Sequence, residues 1–162
     1  MVGLVLHKLW SEIDPLPDYY IYPVRAPQGT TSFPFAVYQI ISEEYTEDKN
    51  SGYYAFSPQP ATHSFGQVSP VNVTKVQITI ISNTYSSLES LSQYVETRFD
   101  KLSGDVEIVT PSGIDYIIPL DKITLTDKND LYDDKGDYQG TQGTYMRALD
   151  FDFRIKHYTY TS

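Results

Sequence analysis

Tyr22–Ser42, YPVRAPQGTTSFPFAVYQIIS, joins two halves of opposite physics. Tyr22 to Pro34 carries Pro23, Pro27, Gly29 and Pro34. It cannot be a helix interior, because each proline lacks an N–H and its ring collides with the preceding turn. Phe35 to Ser42 is aromatic and β-branched, which is the chemistry of a strand. Pro34 stands at the strand entrance, where its missing N–H breaks no ladder bond. The stretch therefore reads as a rigid extended lead-in that delivers the chain into a sheet at a defined point. None of its side chains is a reactive group, so it argues for architecture before catalysis.

Upstream, Val2, Val5, Leu6, Leu9, Trp10 and Ile13 fall at helical spacing. They predict a short amphipathic helix over Val2 to Ile13, ended by Pro15 and Pro17 and packed on the sheet. Tyr19 to Tyr22 is expected to be a short edge strand. Downstream, the pattern is lost from Glu43 to about residue 72. A stretch this long without regular structure is uncommon in a compact domain. It carries Tyr45, Tyr53, Tyr54, Phe56 and Phe65. Exposed aromatics of this kind suit a partner-binding arm; the alternative is an extended hairpin folded on its own body.

Val73 to Ser82 alternates, with Val76, Ile78 and Ile80 on one face and Lys75, Gln77 and Thr79 on the other. Tyr85 to Leu102 is the strongest helix signal. Leu88, Leu91, Val95, Phe99 and Leu102 make one stripe at steps of three and four. Ser86 and Glu89 have capping-box spacing, and Gly104 is expected to end the helix. Burying that stripe contributes roughly 8–15 kcal/mol before chain entropy is subtracted. Val106 to Thr110 returns as a strand; if it paired parallel to the first, the crossover would be right-handed. Pro111, Ser112 and Gly113 form a hairpin turn. Ile114 to Thr126 follows, mostly extended and interruptible at Pro119. Asp127 to Gly143 reads as a long acidic loop. Tyr145 to Tyr158 alternates cleanly, with Leu149, Phe151, Phe153 and Ile155 inward and Ala148, Asp150, Asp152 and Arg154 outward.

At 162 residues this is most simply one α+β domain spanning 1–162. A mainly antiparallel mixed sheet is packed by a short N-terminal helix and one long helix (about 85–102). Two long loops, 43–72 and 127–143, interrupt it. Such a chain buries roughly 70% of its unfolded surface. Fifteen tyrosines supply much of its apolar surface; they suit both strands and surfaces that meet other surfaces. A net charge of −9 argues against a wrapped nucleic-acid partner, which needs clustered Lys and Arg. An acidic wall past which DNA slides remains compatible with it. With no cysteine there is no disulfide, thiolate metal site or cysteine nucleophile. No signal peptide is expected, since Leu4 to Leu6 is too short an apolar run, and no stretch reaches membrane-spanning length.

The search for chemistry returns little. His7, His63 and His157 lack metal spacing and read as structural or surface residues. Asp127, Asn129, Asp130, Asp133, Asp134 and Asp137 invite a calcium reading. They fail the EF-hand pattern, because Leu131 falls at a ligand position and Tyr132 at the required glycine. A solvated acidic loop is the plainer account, with an irregular cation site as the alternative. No nucleophile elbow, P-loop or dinucleotide fingerprint is present. Asp150 and Asp152 share a strand face roughly 7 Å apart, but acid–base work needs a cleft and a raised pKa. An enzyme is not expected, and no cofactor or metal is implied.

Three segments together resemble the phage tail completion, or tail terminator, family. The lead-in carries Tyr22, Pro23, Ala26, Pro27, Gln28, Gly29, Thr30 and Pro34, then Tyr38 and Gln39 in the strand. Ser82 to Tyr85, SNTY, feeds the long helix. DLYDDKGDY (Asp130 to Tyr138) and LDFDFRI (Leu149 to Ile155) are similar to the family's acidic loop and closing strand. The resemblance covers most of the chain in order. The insertion at 43–70 and the long acidic loop depart from the family pattern.

The resemblance implies a ring, commonly a hexamer, on the head-proximal end of a phage tail tube. It would stop tube polymerisation and join the tail to the head. The implied partners are copies of itself, the tail tube protein, the head connector or stopper, and the tape-measure protein, with DNA passing through the channel and no membrane. The implied place is the tail or neck of the virion, assembled in the host cytoplasm. A closed ring needs two different interfaces per subunit. Tyr45, Tyr53, Tyr54, Phe56, Phe65 and Tyr158 are the candidate interface residues. Asp127, Asp130, Asp133, Asp134 and Asp137 are candidates for a channel lining, since like charge keeps phosphates from adhering. The alternatives are another neck protein, such as a connector or stopper, and a tyrosine-rich β module that binds carbohydrate or a cell surface.

Overall fold

The computed structural model describes residues 2–26, 32–46, 71–113, 115–133 and 143–156, with backbone only at Tyr45, Thr46 and Asp133. In chain order it comprises α1 (Val2–Glu12), a 3-10 turn (Leu16–Asp18), β1 (Ile21–Pro23), β2 (Phe35–Thr46) and β3 (Val71–Ser82). There follow α2 (Tyr85–Phe99), β4 (Gly104–Val109), β5 (Asp115–Asp133) and β6 (Thr144–Lys156). The strands form one mixed sheet in the order β1-β2-β3-β6-β5-β4. Only the β1–β2 pairing is parallel. Among the described residues no helix is long and apolar enough to cross a membrane.

Strand alternation sorts the sheet into two faces. Val76, Ile78 and Ile80 of β3 and Leu149, Phe151 and Phe153 of β6 are fully buried on the helix-covered face. Both helices close that face. α1 contributes Val2, Val5, Leu6, Leu9 and Trp10, and α2 contributes Leu88, Leu91, Val95 and Phe99. Phe99 sits between the layers, its ring 6.2 Å from Trp10 and 6.0 Å from Phe151. The α+β architecture expected from periodicity is the one observed, with two helices against a largely antiparallel sheet. Of the lead-in, residues 27–31 lie outside the described residues. Val24 departs from the expected extended course with φ 63°, and Ser32 to Pro34 run directly into β2. Ala26 and Phe35 are buried with Ile81 in a small second cluster, with Phe33 packed against it.

Several local expectations are corrected. The strand–helix–strand stretch is not a parallel crossover unit: β4 pairs antiparallel with β5 at the far edge from β3. β6 and β5 lie between them, because the alternating apolar rows of β6 fill the centre of the sheet. The helix cap is Thr84, whose hydroxyl accepts from the Ser87 N–H, not the Ser86–Glu89 box. Gly104 does not end the helix. Asp100 is the C-cap, Lys101 takes the left-handed conformation (φ 69°), and Gly104 (φ 127°) opens β4. Pro119 does not break β5; it pairs with Asp105 in the edge strand β4.

The largest correction concerns the acidic loop. Asp127 to Asp133 is strand, laddered to β6 from Asp127↔Asp150 to Asp133↔Thr144. Acids usually signal solvated loops, yet here the polar side chains on the helix side find partners. Lys128 pairs with Glu96 at 3.0 Å, and Asp130 pairs with Arg147. The arm expected over 43–72 is cut back at both ends, because Glu43 to Thr46 continue β2 and Val71 and Asn72 open β3 in register with each other. Its remainder, 47–70, and the loop at 134–142 lie outside the described residues.

Candidate interaction surface

The most organised polar cluster stands where the N-terminal half of α2 crosses β5 and β6. β6 alternates, and the positions facing the helices are Arg147, Leu149, Phe151 and Phe153. Arg147 thus occupies a core position, and only 2% of it is exposed. Burying a guanidinium is tolerable only when its donors are satisfied. Its Nε and Nη2 donate to the two Asp130 carboxylate oxygens at 2.6 and 2.8 Å, in a two-pronged grip. Nη2 also donates to Glu89 Oε1 (2.5 Å) and to the Tyr85 hydroxyl (3.3 Å), and Nη1 to Ser92 Oγ (3.2 Å). The guanidinium carbon lies 5.9 Å from the Tyr85 ring centre.

These bonds set the charges of the cluster. Hydrogen bonding to Arg147 holds the Asp130 and Glu89 carboxyls below their usual range, and the carboxylates raise the already high Arg147 value. Tyrosines flank the knot. Tyr145 lies 4.8 Å from Tyr132 and 5.8 Å from Tyr85 between ring centres. Gly143 is a packing requirement, because a Cβ there would run into the Tyr132 hydroxyl and ring. Tyr85, Tyr132 and the neighbouring Leu131 are exposed. Exposed tyrosine is enriched at protein contacts, and here Tyr85 and Tyr132 stand beside the buried Arg147 cluster, while Leu131 alternates onto the opposite sheet face.

The opposite sheet face is mixed in charge. Gln77 donates to Asp150 at 2.9 Å, and Lys75 stands 3.9 Å from Asp152. Ser42, Glu44, Val73, Lys75 and Asp152 line a groove of about 250 Å³ on this face. Asp150 is therefore engaged with β3, whereas Asp152 has only the loose Lys75 pairing and a buried Oδ1 without a hydrogen bond among the described residues. The two share a strand and do not face each other across a cleft. At the outer edge Glu107 is raised by its hydrogen bond to Asp115, two carboxyls sharing a site. Among the described residues no group of three or more His, Asp or Glu side chains could hold a metal.

Of the residues singled out from sequence, Asp127, Asp130 and Asp133 lie in β5, and only Asp130 is shown to enter the Arg147 cluster. Tyr45 is placed by its backbone in β2. Tyr53, Tyr54, Phe56, Phe65, Tyr158, Asp134, Asp137, His63 and His157 lie outside the described residues. His7 is exposed on α1 and bonds the Tyr38 hydroxyl at 3.1 Å. Sequence reasoning missed Arg147, Tyr132 and Tyr145. The signal was present for Arg147, because the alternation that put Leu149 inward also puts Arg147 inward, where a charge demands partners.

No protein-family model matches the chain, and no curated protein matches it. Fourteen chains of solved structures do. One is a chain of "Virion of native gene transfer agent (GTA) particle", with a TM-score of 0.53 at 11% identity, covering 94% of this chain and 92% of that chain. The likeness is one of fold, and it runs nearly end to end in both chains.

Proposed function

We propose that this chain is a structural virion protein of the tail-completion kind. It forms a ring on the head-proximal end of a phage tail tube, stops tube growth and joins the tail to the head connector. The observation that carries the reading is the end-to-end fold likeness to a chain of a gene transfer agent virion. The ordered sequence resemblance, from the APQGT lead-in to the LDFDFRI strand, supports the finer assignment. The exposed Tyr85 and Tyr132 beside the buried Arg147 cluster support a role worked through protein contacts. The chain acts by shape: it closes a circle with copies of itself and offers one surface to the tube and another to the head. A net charge of −9 suits a passage through which DNA must slide without adhering.

The test is direct imaging. The purified protein is mixed with polymerised tail tubes and viewed by electron microscopy. Rings alone, and a single ring on one end of each tube, are expected. Tubes that keep growing in its presence, with no decoration of their ends, would exclude a terminator role. Decoration of isolated portal–connector complexes instead of tubes would reassign it to the connector side of the neck.

A further inference from the structure

We infer that neighbouring copies join sheet to sheet, with the outer edge of β5 in one copy pairing antiparallel with the outer edge of β2 in the next. The inference rests on the ring reading and names the surfaces that would close the ring.

Each outer edge of the central four strands is covered along part of its length only. On β2, the short strand β1 pairs with Ala36 to Tyr38 and stops. Beyond it, Gln39 to Thr46 offers an eight-residue edge that no described backbone group pairs. On β5, β4 pairs with Asp115 to Leu120, and the α2–β4 connection covers the next turn of the ladder. There Lys101 and Leu102 bond Ile123, and the Asp100 carboxylate accepts from the Leu125 N–H. Beyond that, Thr126 to Asp133 offers a second eight-residue edge that no described backbone group pairs, although the Asp127 carboxylate accepts from the Lys128 N–H at 2.9 Å. An uncovered strand edge is a row of donors and acceptors ready for another strand.

The two edges fit each other. Three successive antiparallel pairings, β2–β3, β3–β6 and β6–β5, leave β2 and β5 running in opposite directions. A copy repeated head to tail without inversion therefore sets its β2 antiparallel to its neighbour's β5. The open halves lie at diagonally opposite corners: Gln39 shares a row with Asp127 through Gln77 and Asp150. From that row the open part of β2 runs one way and the open part of β5 the other. Pairing them along their full length slides each copy about six residues, roughly 20 Å, along the strands. The same slide brings the exposed apolar residues together, Ile40 opposite Tyr132 and Ile41 beside Leu131. These four side chains are 48–59% exposed in the single chain. β1 at one end and the Asp100–Leu102 segment at the other act as stops that fix the register. Four strands span roughly 19 Å, so this slide inclines the strands by about 45° to the ring axis, at the upper end of the tilt that closed sheets adopt.

The chain has no cysteine, so introduced thiols report on their own. Two single variants, Ile41→Cys and Leu131→Cys, are prepared with far-UV circular dichroism as the fold control, mixed at assembly concentration and oxidised. Disulfide dimers containing one chain of each variant are expected. Neither variant oxidised alone should reach half that yield. A second pair tests register. With Ile41 bulged from the ladder, as it is against β3, Ser42 falls opposite Leu131 and Glu44 opposite Asn129, so Glu44→Cys should link to Asn129→Cys and not to Leu131→Cys. Sedimentation of the unmodified chain runs in parallel. Oligomers without a mixed Ile41–Leu131 link overturn the edge pairing and leave the ring reading standing. Links within one variant alone mean a two-fold dimer and overturn the pairing as well. A chain that stays monomeric at every concentration overturns both.

Discussion

Arg147 carries a full charge at a position the strand pattern assigns to the core. Its partners are unequal to it in exposure: Arg147 is buried, while Asp130 and Glu89 remain close to half exposed. The consequences of mutation should be unequal too. Arg147→Met replaces a buried cation by an apolar chain of similar length, and the freed carboxylates turn to water. Such replacements are often near neutral, so a loss of about 0–2 kcal/mol is expected. Asp130→Ala instead leaves a buried guanidinium with one carboxylate, Glu89, and the neutral Tyr85 and Ser92 hydroxyls, and should cost about 2–4 kcal/mol. Urea unfolding of the two variants measures both. A larger loss for the methionine would mean that Arg147 supports more than its own charge balance. The pH dependence follows from the same bonds. Both carboxyls titrate lower in the folded chain than in the unfolded one. Their contribution is present above the ordinary values of 3.8 and 4.5 and is lost as pH falls through the lowered folded values. Arg147→Met should flatten that acid limb of the stability curve.

At the scale of elements, α2 divides what could be read from sequence from what could not. Its stripe was legible, because Leu88, Leu91, Val95 and Phe99 recur at helical steps and all are buried. Its ends were not, because capping depends on which side chain meets the backbone first. Thr84 reaches the Ser87 N–H one step before the Ser86–Glu89 pair could act, and Arg147 draws Glu89 away. β5 was misread for a related reason. Asp127 to Asp133 resembles a loop until Arg147 supplies a partner for Asp130, and Glu96 one for Lys128, across the layers. Two substitutions on α2 separate these contributions. Leu91→Asp puts an unpaired charge into a fully buried site and should leave no folded protein. Thr84→Ala removes one cap bond at an exposed helix end and should cost about 1 kcal/mol, with the helix retained. Thermal unfolding followed by circular dichroism distinguishes the two, and a folded Leu91→Asp variant would show that the helix is not packed on the sheet.

For the whole molecule, strand faces were legible and strand neighbours were not. Alternation places Ile78 and Phe151 inward whatever the order of strands, but nothing local tells β4 to pair with β5 at the far edge. The edges available to other copies could be found only once that order was known. Electrostatics then sets a condition on assembly. Every copy carries a net charge of −9, so bringing copies together opposes like charge with like. The edges proposed to meet are both acidic on balance: Glu43 and Glu44 stand on one, and Asp127, Asp130 and Asp133 on the other, where the one cation, Lys128, is already paired with Glu96. Association must then come from backbone bonds and the apolar contacts of Ile40, Ile41, Leu131 and Tyr132. Raising salt from 0.01 to 0.15 M shortens the screening length from about 30 to about 8 Å and weakens the repulsion far more than those contacts. Assembly should therefore strengthen with salt, seen in sedimentation velocity as a larger oligomer fraction at a fixed chain concentration. A ring held by ion pairs between copies would respond in the opposite sense. An oligomer that dissolves on adding salt would move the interface away from these edges and toward the charged sheet face of Lys75, Asp152 and Arg154.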